Sequence, residues 1–388
     1  MIPLLGRQFR CIIVLALYTV AYYSDDALAD ESEKNTAENA TKKPNILLIL
    51  ADDVGTGDIP HYWKENSLVS MPNIDNLSAK GVTFMDAHST PLCAPSRYML
   101  LSGNYAHRGE STKGSWNFAQ GRNQFSLNQK SIAEVLRDGG GYNTAMFGKW
   151  HLGAGIPRND DLAINSTHLL TEPRHDWSRP LIDGPQEIGF DTSYITTGGI
   201  QAHPYAFFKD GFLTIEPSDS RFWKVGSYPM SRGTSMIAGS KRQGEGSVDW
   251  DSSAYNMILV NETTAFIEDH LQKGEDDPFF AYVALGSVHG PHSPPDRYLD
   301  GDPVVGTYAT KHMDLLLEMD KVVGSLVTLI EEKNLAEDTI IIFASDNGGG
   351  KGTDPSTGHY SNGPLRGRKG MIYEGKKCLS QRNEKMTS

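Results

Sequence analysis

The chain has 388 residues, of which 38% are hydrophobic and 22% are charged. This composition is typical of a globular protein with one large domain or two ordinary ones. The formal net charge of -12 argues against nucleic acid as a partner. It does not exclude an anionic substrate, because the local field at a site matters more than the net charge of the protein.

Residues 1–29 have the pattern of a secretory signal peptide. Two arginines precede an apolar stretch at 11–23, and Ala-Leu-Ala at 27–29 offers a small-x-small cleavage site. The alternative is an uncleaved membrane anchor, although the apolar stretch is short for a bilayer span. We expect an exported protein (periplasmic, secreted or lysosomal) with no stable membrane insertion after cleavage. Residues 30–43, which are polar and charged, predict a disordered leader.

Four short apolar runs are typical of strands buried on both faces of a parallel sheet. Helical patterns lie between them, one at 131–138 with capping-box spacing and an amphipathic stripe at 307–333. This alternation favours an α/β fold with a mostly parallel central sheet flanked by helices. Ligands bind beyond the carboxyl ends of such strands. We therefore expect the polar residues that follow the runs to lie together at this edge of the sheet, which we call the rim. The runs are NILLIL before Asp52 and Asp53, NTAMF before Lys149 and His151, FFAYVAL before His289, and TIIIFA before Asp346 and Asn347.

Residues 155–260 have weak periodicity and are rich in Gly, Pro, Ser, Asp and aromatic residues. This composition predicts long loops and short elements inserted over the rim, where they would shape access for a substrate. The aromatic residues at 201–212 are expected to pack beneath these loops. The alternative is that they stack on sugar rings.

Four oxygen-bearing side chains follow two of the runs: Asp52, Asp53, Asp346 and Asn347. Adjacent ionised carboxylates repel each other unless a cation lies between them. Each pair alone is more typical of a turn, because Asp and Asn favour turns. Together on one rim they predict a metal site, and oxygen ligands favour Ca²⁺ or Mg²⁺ over zinc.

Cationic and proton-carrying side chains are expected beside these carboxylates. Lys149 and His151, two residues apart after a strand, would project into a cleft together if the backbone stays extended. With His289 and Lys369 they could stabilise developing negative charge and move protons. His88, His107 and His292 are interpreted as surface or core-edge residues without a catalytic role.

Cys93 is expected at the N-terminus of a helix. Pro95 suits the first turn, and Gly103 is a plausible residue for the helix end. Free N–H groups and the helix dipole favour an anion there, and Arg97 could bind the side chain of residue 93 or that anion. Two alternatives stay open, a disulfide with Cys378 and a thiolate nucleophile with a lowered pKa.

The sequence resembles the type I sulfatases of the alkaline phosphatase superfamily over residues 44–375. CAPSR at 93–97 matches the C-x-P-S-R signature of that family, and GYNTAMFGKWHLG at 141–153 matches its second signature. Five further segments fall in the usual order of the family, which makes the resemblance specific. They are PNILLILADDVGTGD (44–58), GFD (189–191), SVHGPH (287–292), SDNGG (345–349) and PLRGRKGMIYEG (364–375).

The resemblance implies that a maturation enzyme oxidises Cys93 to formylglycine (3-oxoalanine). The hydrated aldehyde would then attack a sulfate ester of a carbohydrate or an aryl alcohol, through a covalent sulfated intermediate. It also implies one Ca²⁺, with Mg²⁺ as the alternative, bound to residue 93 and the four oxygen-bearing residues. The implied roles are orientation of the hydrate by Arg97, sulfate binding by Lys149 and Lys369, protonation of the leaving alcohol by His289 with Lys369, and proton removal by His151.

Residues 376–388 depart from the pattern of the family, which continues into a further strand and a smaller C-terminal subdomain. We expect this chain to lack both, the tail to be a solvated disordered end, and the sheet to keep an exposed edge. Two other functions therefore stay open. One is hydrolysis of phosphate or phosphonate monoesters on the same fold, and the other is glycan binding by a catalytically inactive fragment.

Overall fold

The structure, a computed structural model, describes most of the chain from residue 42 onward. The predictions of a signal peptide, of most of the leader and of much of the 155–260 insertion therefore lie outside the described residues, as does Cys378. Among the described residues, no helix has the length and apolar content that a bilayer span requires. The described residues are 42–64, 67–111, 122–126, 128–157, 176–202, 204–215, 247, 250–274, 277–350, 354, 356–376 and 380–382.

A single mixed sheet runs through the described part of the chain. Its strands are β1 (Asn45–Ala51), β2 (Val82–Phe84), β3 (Asn143–Lys149), β4 (Thr192–Thr196), β5 (Phe208–Lys209), β6 (Phe212–Leu213), β7 (Phe279–Ala284), β8 (Thr339–Ser345) and β9 (Ser380–Arg382). Their order is β2-β9-β8-β1-β7-β3-β4-β5-β6. The five central strands, from β8 to β4, are parallel. This confirms the predicted α/β fold with a mostly parallel sheet, and all four apolar runs are among these strands.

Helices cover both faces of the sheet. They are α1 (Pro72–Ala79), α2 (Cys93–Ser102), α3 (Ile132–Glu134, continued by a π-helical segment at Val135–Gly139), α4 (Tyr255–Gln272) and α5 (Lys311–Glu332). Short 3₁₀ segments lie at Ala106–Arg108, Gln186–Ile188, Gly199–Gln201, Ala336–Asp338 and Glu374–Lys376. Alternate residues of β1 belong to two separate hydrophobic cores, one on each face of the sheet. Leu47 lies in the core that includes α1, α4 and α5, and Leu48 lies in the core that includes α2 and α3. Burial on both faces explains why the strand is apolar throughout.

The two predicted helical patterns are confirmed with shifted bounds. The side chain of Ser131 accepts the N–H of Glu134 in a capping box, and the turn then widens into the π-helical segment. The helix predicted from residue 307 begins at Lys311, because Thr310 caps it by accepting the N–H of Met313. The whole apolar stripe of α5, from Leu315 to Ile330, is buried.

The 155–260 region is only partly an insertion. β4 belongs to the parallel core of the sheet, and α4 begins within the region, so the expectation of loops and short elements is wrong for these two elements. The aromatic residues Tyr205, Phe207 and Phe208 are buried, which confirms packing beneath the surface, whereas Phe212 is exposed.

The tail contributes a strand, contrary to the expectation of a solvated disordered end at 376–388. β9 pairs antiparallel with β8 on one side and with β2 on the other. β8 is therefore not an exposed edge over residues 342–344, which pair with β9. The sequence of β9, Ser-Gln-Arg, has no apolar pattern, and backbone hydrogen bonding alone can recruit such a segment.

The predicted leader also ends in residues that contact the fold. Lys42 forms an ion pair with Asp338 at 2.9 Å, and Lys43 Nζ donates to the carbonyl of Gly140 at 2.9 Å. The expectation of disorder through residue 43 is therefore wrong at these two positions, whose cationic side chains are attached to the domain surface.

The parallel register brings the strand ends to one level. Ala51 lies opposite Ser345, and both Leu50 and Gly148 lie opposite Ala284. Gly148 has a φ of 95°, and a Cβ at this position would lie 2.0 Å from the carbonyl oxygen of Ala284. Only glycine lets β3 approach β7 this closely immediately before Lys149.

We therefore expect Gly148→Ala to lower the free energy of unfolding by at least about 2 kcal/mol, from backbone strain and the clash. Gly139→Ala is the matched control, because a Cβ there meets nothing within 4 Å. The control should change stability by less than about 1 kcal/mol. The free energy of unfolding of both variants is measured by urea unfolding followed by circular dichroism. Equal losses of stability in the two variants would contradict the requirement for glycine at residue 148.

Candidate active site

Three carboxylates lie side by side where β1 and β8 end. Asp52 and Asp53 follow β1, and Asp346 follows β8. Asp53 has a left-handed backbone with φ 65°, and its N–H donates to Asp346 Oδ1 at 3.1 Å. The N–H of Asp346 in turn donates to the carbonyl of Ala51 at 3.0 Å. The structure thus brings together the acidic residues that the sequence placed at one rim.

Two buried cations neutralise these carboxylates. Arg97 Nη2 lies 2.9 Å from Asp346 Oδ2 and 3.7 Å from Asp52 Oδ2, and Nη1 donates to the carbonyl of Lys149 at 3.0 Å. Lys149 Nζ lies 2.5 Å from Asp52 Oδ2. Burial by itself raises the pKa of Asp52, but the charge of Lys149 holds that pKa well below its usual value. Burial, with the nearby Asp52 charge, raises the pKa of Asp346 to about 6.

Cys93 is the first residue of α2, as the sequence predicts. The helix ends at Gly103, whose left-handed φ of 65° accommodates the chain reversal. Cys93 Sγ lies 3.3 Å from Asp52 Oδ1 and 3.7 Å from Asp53 Oδ1. Lys369 Nζ lies 2.9 Å from the same sulfur and 2.6 Å from Asp53 Oδ1. Residue 93 therefore sits between two metal-ligand candidates and a lysine.

The environment of Cys93 contradicts the alternative of a thiolate nucleophile. Burial raises the pKa of the thiol well above its usual value, and the charges of Asp346 and Asp52 raise it further. These effects oppose the lowering of a thiol pKa that a helix N-terminus gives. The disulfide alternative finds no support either, because Cys93 is a free and buried thiol.

Two histidines complete the rim. His289 Nε2 lies 3.6 Å from Asp53 Oδ2, and its Nδ1–H donates to the carbonyl of Gly290 at 2.5 Å. Burial lowers the pKa of His289 to about 4 and that of His151 well below its usual value, with Lys149 adding to both effects. The backbone at His151 is left-handed, with φ 56°, so the condition of an extended backbone between Lys149 and His151 is not met.

The donor set fits a hard cation. Asn347 Nδ2 donates to Asp53 Oδ1 at 2.7 Å, while Asn347 Oδ1 is buried without a hydrogen-bond partner among the described residues. An unpaired buried oxygen beside three carboxylates is what a calcium or magnesium ligand requires. Cys93 and His289 also lie within the same group of ligand atoms as Asp52 and Asp53.

A neutral polar network supports the rim from beneath, and sequence reasoning missed it. Glu318 Oε2 accepts from Asn256 Nδ2 at 3.0 Å and from Ser287 Oγ at 2.9 Å. The carbonyl of Ser287 accepts the N–H of Asp52 at 2.9 Å, and the N–H of Val288 donates back to the Asp52 carbonyl at 2.6 Å. An available signal was a glutamate inside the apolar stripe of α5.

Comparison with known proteins agrees with this geometry. The Sulfatase family model matches residues 44–377, which is most of the chain, and the protein belongs to that family. The match nearly coincides with the 44–375 range in which the signature segments lie.

Individual relatives are identical to the chain at somewhat more than a quarter of the aligned positions. An N-acetylgalactosamine-6-O-sulfatase of Bacteroides thetaiotaomicron is 29% identical over 375 residues, covering 88% of this chain and 67% of that protein. Human N-acetylgalactosamine-6-sulfatase is 27% identical over 350 residues, covering 87% and 56%. A solved structure from work on glycosaminoglycan metabolism by Bacteroides thetaiotaomicron has a TM-score of 0.68 at 27% identity, covering 88% and 72%. The chain thus spans about half to two thirds of the length of the curated relatives it matches.

The buried Glu318 predicts a pH-dependent stability. Burial raises its pKa from the usual 4.5 to about 7. Because the folded-state value is the higher one, its stabilising contribution is complete below pH 4.5 and is lost as the pH rises through 7. Relative to Glu318→Gln, which stays neutral, the wild type should therefore lose roughly 3 kcal/mol between pH 4.5 and 8.

Urea unfolding of both proteins at several pH values measures this difference. Glu331→Gln is the control, since Glu331 lies on the same helix but is exposed and paired with Lys80. If the free energy of unfolding changed with pH equally in the wild type and in Glu318→Gln, Glu318 would not be protonated in the folded protein near neutral pH.

Proposed function

We propose that the chain hydrolyses sulfate esters, with residue 93 supplying the nucleophile. The observation that carries this proposal is the position of Cys93 at the start of α2, 3.3 Å from Asp52 Oδ1 and 2.9 Å from Lys369 Nζ. This arrangement places one reactive side chain against both a metal-ligand carboxylate and an anion-binding cation. Membership of the sulfatase family supports the reaction class.

The charge of the rim supports an anionic substrate. Three carboxylates, Asp52, Asp53 and Asp346, balance three cations, Arg97, Lys149 and Lys369. A divalent cation at this rim would leave a net positive charge in a region that is largely closed to water. Such a region attracts an anion and stabilises charge that develops on its oxygens.

Asp52, Asp53, Asp346 and Asn347 would hold the calcium ion. When both groups are present, formylglycine at residue 93 would supply a nucleophilic hydroxyl, and the calcium ion would supply Lewis acidity. Arg97 is buried and is held in place by its bonds to Asp346 and to the backbone of Lys149. Its proposed role is to orient residue 93, which lies one turn away on the same helix.

The remaining side chains are assigned to sulfate binding and proton transfer. Lys149 Nζ contacts Asp52 and Lys369 Nζ contacts Asp53, and both lysines would bind the sulfate oxygens. Because its lowered pKa leaves His289 neutral, Lys369 would supply the proton that His289 passes to the leaving alcohol. His151, whose lowered pKa also leaves it neutral, would remove a proton from residue 93. In these roles every charged residue at the rim has a function in binding or in proton movement.

A sulfated carbohydrate is the proposed substrate class, with an aryl sulfate as a simpler substrate. Two of the matching relatives are named for removing the 6-sulfate of N-acetylgalactosamine, which makes that sugar the first to assay. The pattern of residues 1–29 supports export, and the C-x-P-S-R context of Cys93 supports recognition by a maturation enzyme.

Replacement of the nucleophile gives the most direct test. Cys93→Ala should fold normally and lose at least about a thousandfold in sulfate release, because no hydrate can form at residue 93. Cys378→Ala is the matched control and should retain activity. The assay uses the sulfated sugar and an aryl sulfate, with peptide mass spectrometry across residue 93 in the wild type.

Near-normal sulfate release from Cys93→Ala would overturn the proposed mechanism. An unmodified thiol in a wild-type protein that binds sulfated glycans without hydrolysing them would instead identify an inactive binding fragment.

The metal assignment predicts a specific loss of calcium affinity. Asn347→Leu removes the unpaired Oδ1 at similar volume, so Ca²⁺ binding should weaken at least about tenfold in isothermal titration calorimetry. Asn76→Leu, at an exposed position of α1, is the control and should bind Ca²⁺ as the wild type does. An unchanged affinity in Asn347→Leu would exclude this residue as a ligand.

A further inference from the structure

A second group of metal-ligating side chains lies apart from the carboxylates of the rim. It consists of Asp58, His312 and His359, whose ligand atoms all lie within 4.8 Å of one another. His312 Nε2 lies 3.0 Å from Asp58 Oδ1, and His359 Nε2 lies 2.7 Å from the same oxygen. Both imidazole rings therefore present the same nitrogen to a single carboxylate oxygen.

Three distant segments of the chain supply this group. Asp58 lies in the loop that follows β1, His312 lies in the first turn of α5, and His359 begins the segment that leads to Lys369. The loop and the last segment are in close contact, since the N–H of Gly57 donates to the carbonyl of Ser361 at 2.8 Å. Local turn formation does not explain why side chains from three separate segments converge.

Among the described residues, the ion pairs of Asp58 compensate its charge only if a ring is protonated, and a bound cation would do so otherwise. Asp58 is fully buried, and within the described chain its ion pairs are with these two histidines. Asp58 Oδ2 accepts the N–H of Gly55 at 2.8 Å, which fixes the carboxylate and leaves Oδ1 towards the rings. These contacts hold the pKa of Asp58 at about 2 despite burial, so the carboxylate is ionised.

We propose that Asp58, His312 and His359 bind a divalent transition-metal ion such as Zn²⁺. Two imidazole nitrogens and one carboxylate oxygen are ligands that zinc, cobalt and nickel prefer, whereas calcium and magnesium prefer oxygen alone. The site thus differs in chemistry from the oxygen-rich rim. It does not depend on the sulfatase reaction.

The geometry needs only a small adjustment to take such an ion. Ligand atoms around a tetrahedral zinc ion lie about 3.3 Å apart, as its bond lengths require. The two measured separations from Asp58 Oδ1 are shorter by a few tenths of an ångström, so the rings would move slightly apart. The hydrogen bond from Gly55 would hold the carboxylate in place, as outer contacts do in metal sites.

A fourth position is available on the side of His312. Its side chain is 15% exposed, whereas Asp58 and His359 are almost completely buried. Ser361 Oγ lies 3.4 Å from His312 Nε2. Water or the Ser361 hydroxyl could therefore complete the coordination, and an ion could enter from this side.

A bound ion would fasten the two segments that carry Asp53 and Lys369. Asp58 lies five positions after Asp53, and His359 lies ten positions before Lys369. Cross-linking these segments to α5 would restrict motion of both rim residues. The proposed role is therefore structural, and its measurable signs are metal affinity and thermal stability.

The test uses the full chain, freed of metals and then saturated with Ca²⁺ to occupy the oxygen-rich rim. Co²⁺ is titrated into this protein, and its absorption spectrum reports nitrogen coordination. We expect one equivalent of Co²⁺ per chain, displacement of Co²⁺ by Zn²⁺, and a rise in Tm with Zn²⁺.

Two variants identify the site. His312→Gln keeps a hydrogen-bond donor for Asp58 but no metal-binding nitrogen, so it should fold and bind Co²⁺ at least about a hundredfold more weakly. His88→Ala removes a histidine from an exposed pair with Asp86 and should bind as the wild type does. Binding of neither Co²⁺ nor Zn²⁺ by the Ca²⁺-saturated wild type, or equal affinity in His312→Gln, would overturn the proposal.

Discussion

The structure depends on neutralising three carboxylates that the parallel sheet forces together. β8 is a direct neighbour of β1, so the residues that leave these strands meet within hydrogen-bonding distance. Unpaired charges buried in a protein cost several kcal/mol each. Arg97 and Lys149, which are fully buried, hold counter-charges against Asp52 and Asp346. The cations therefore stabilise the folded state, in addition to the anion-binding role that we propose for this site.

The rim is fixed by several independent supports. The network of Glu318, Asn256 and Ser287 holds the backbone of Asp52 from beneath, through hydrogen bonds in both directions. On another side, the segment that begins at His359 packs so closely that the loop after β1 requires glycines. A Cβ at Gly57 would lie 1.9 Å from a backbone carbonyl of this segment. Such supports preorganise charged groups before a ligand arrives, which is what electrostatic stabilisation requires.

Much of the fold could be predicted because both the apolar runs and the amphipathic stripe express burial directly. The grouping of the rim residues could be predicted because parallel strands end at the same edge of the sheet. The start of α2 at Cys93 could be predicted from the position of Pro95. β9 could not be predicted, since its pairing uses backbone groups that every residue carries. The left-handed backbone at His151 could not be predicted either, because long-range packing selects that conformation.

The order of strands in the sheet also determines when the site can form. The central strand β1 is paired with β8, so Asn45 meets Thr339 only after 294 further residues have been made. Synthesis of that length takes roughly 15 to 60 s at usual rates of translation. Cys93 is made 48 residues after Asn45, so it is in an open chain for most of that interval, and it is 3% exposed once the domain has closed. An enzyme that modifies this cysteine therefore has a period set by translation in which to act, and little access afterwards.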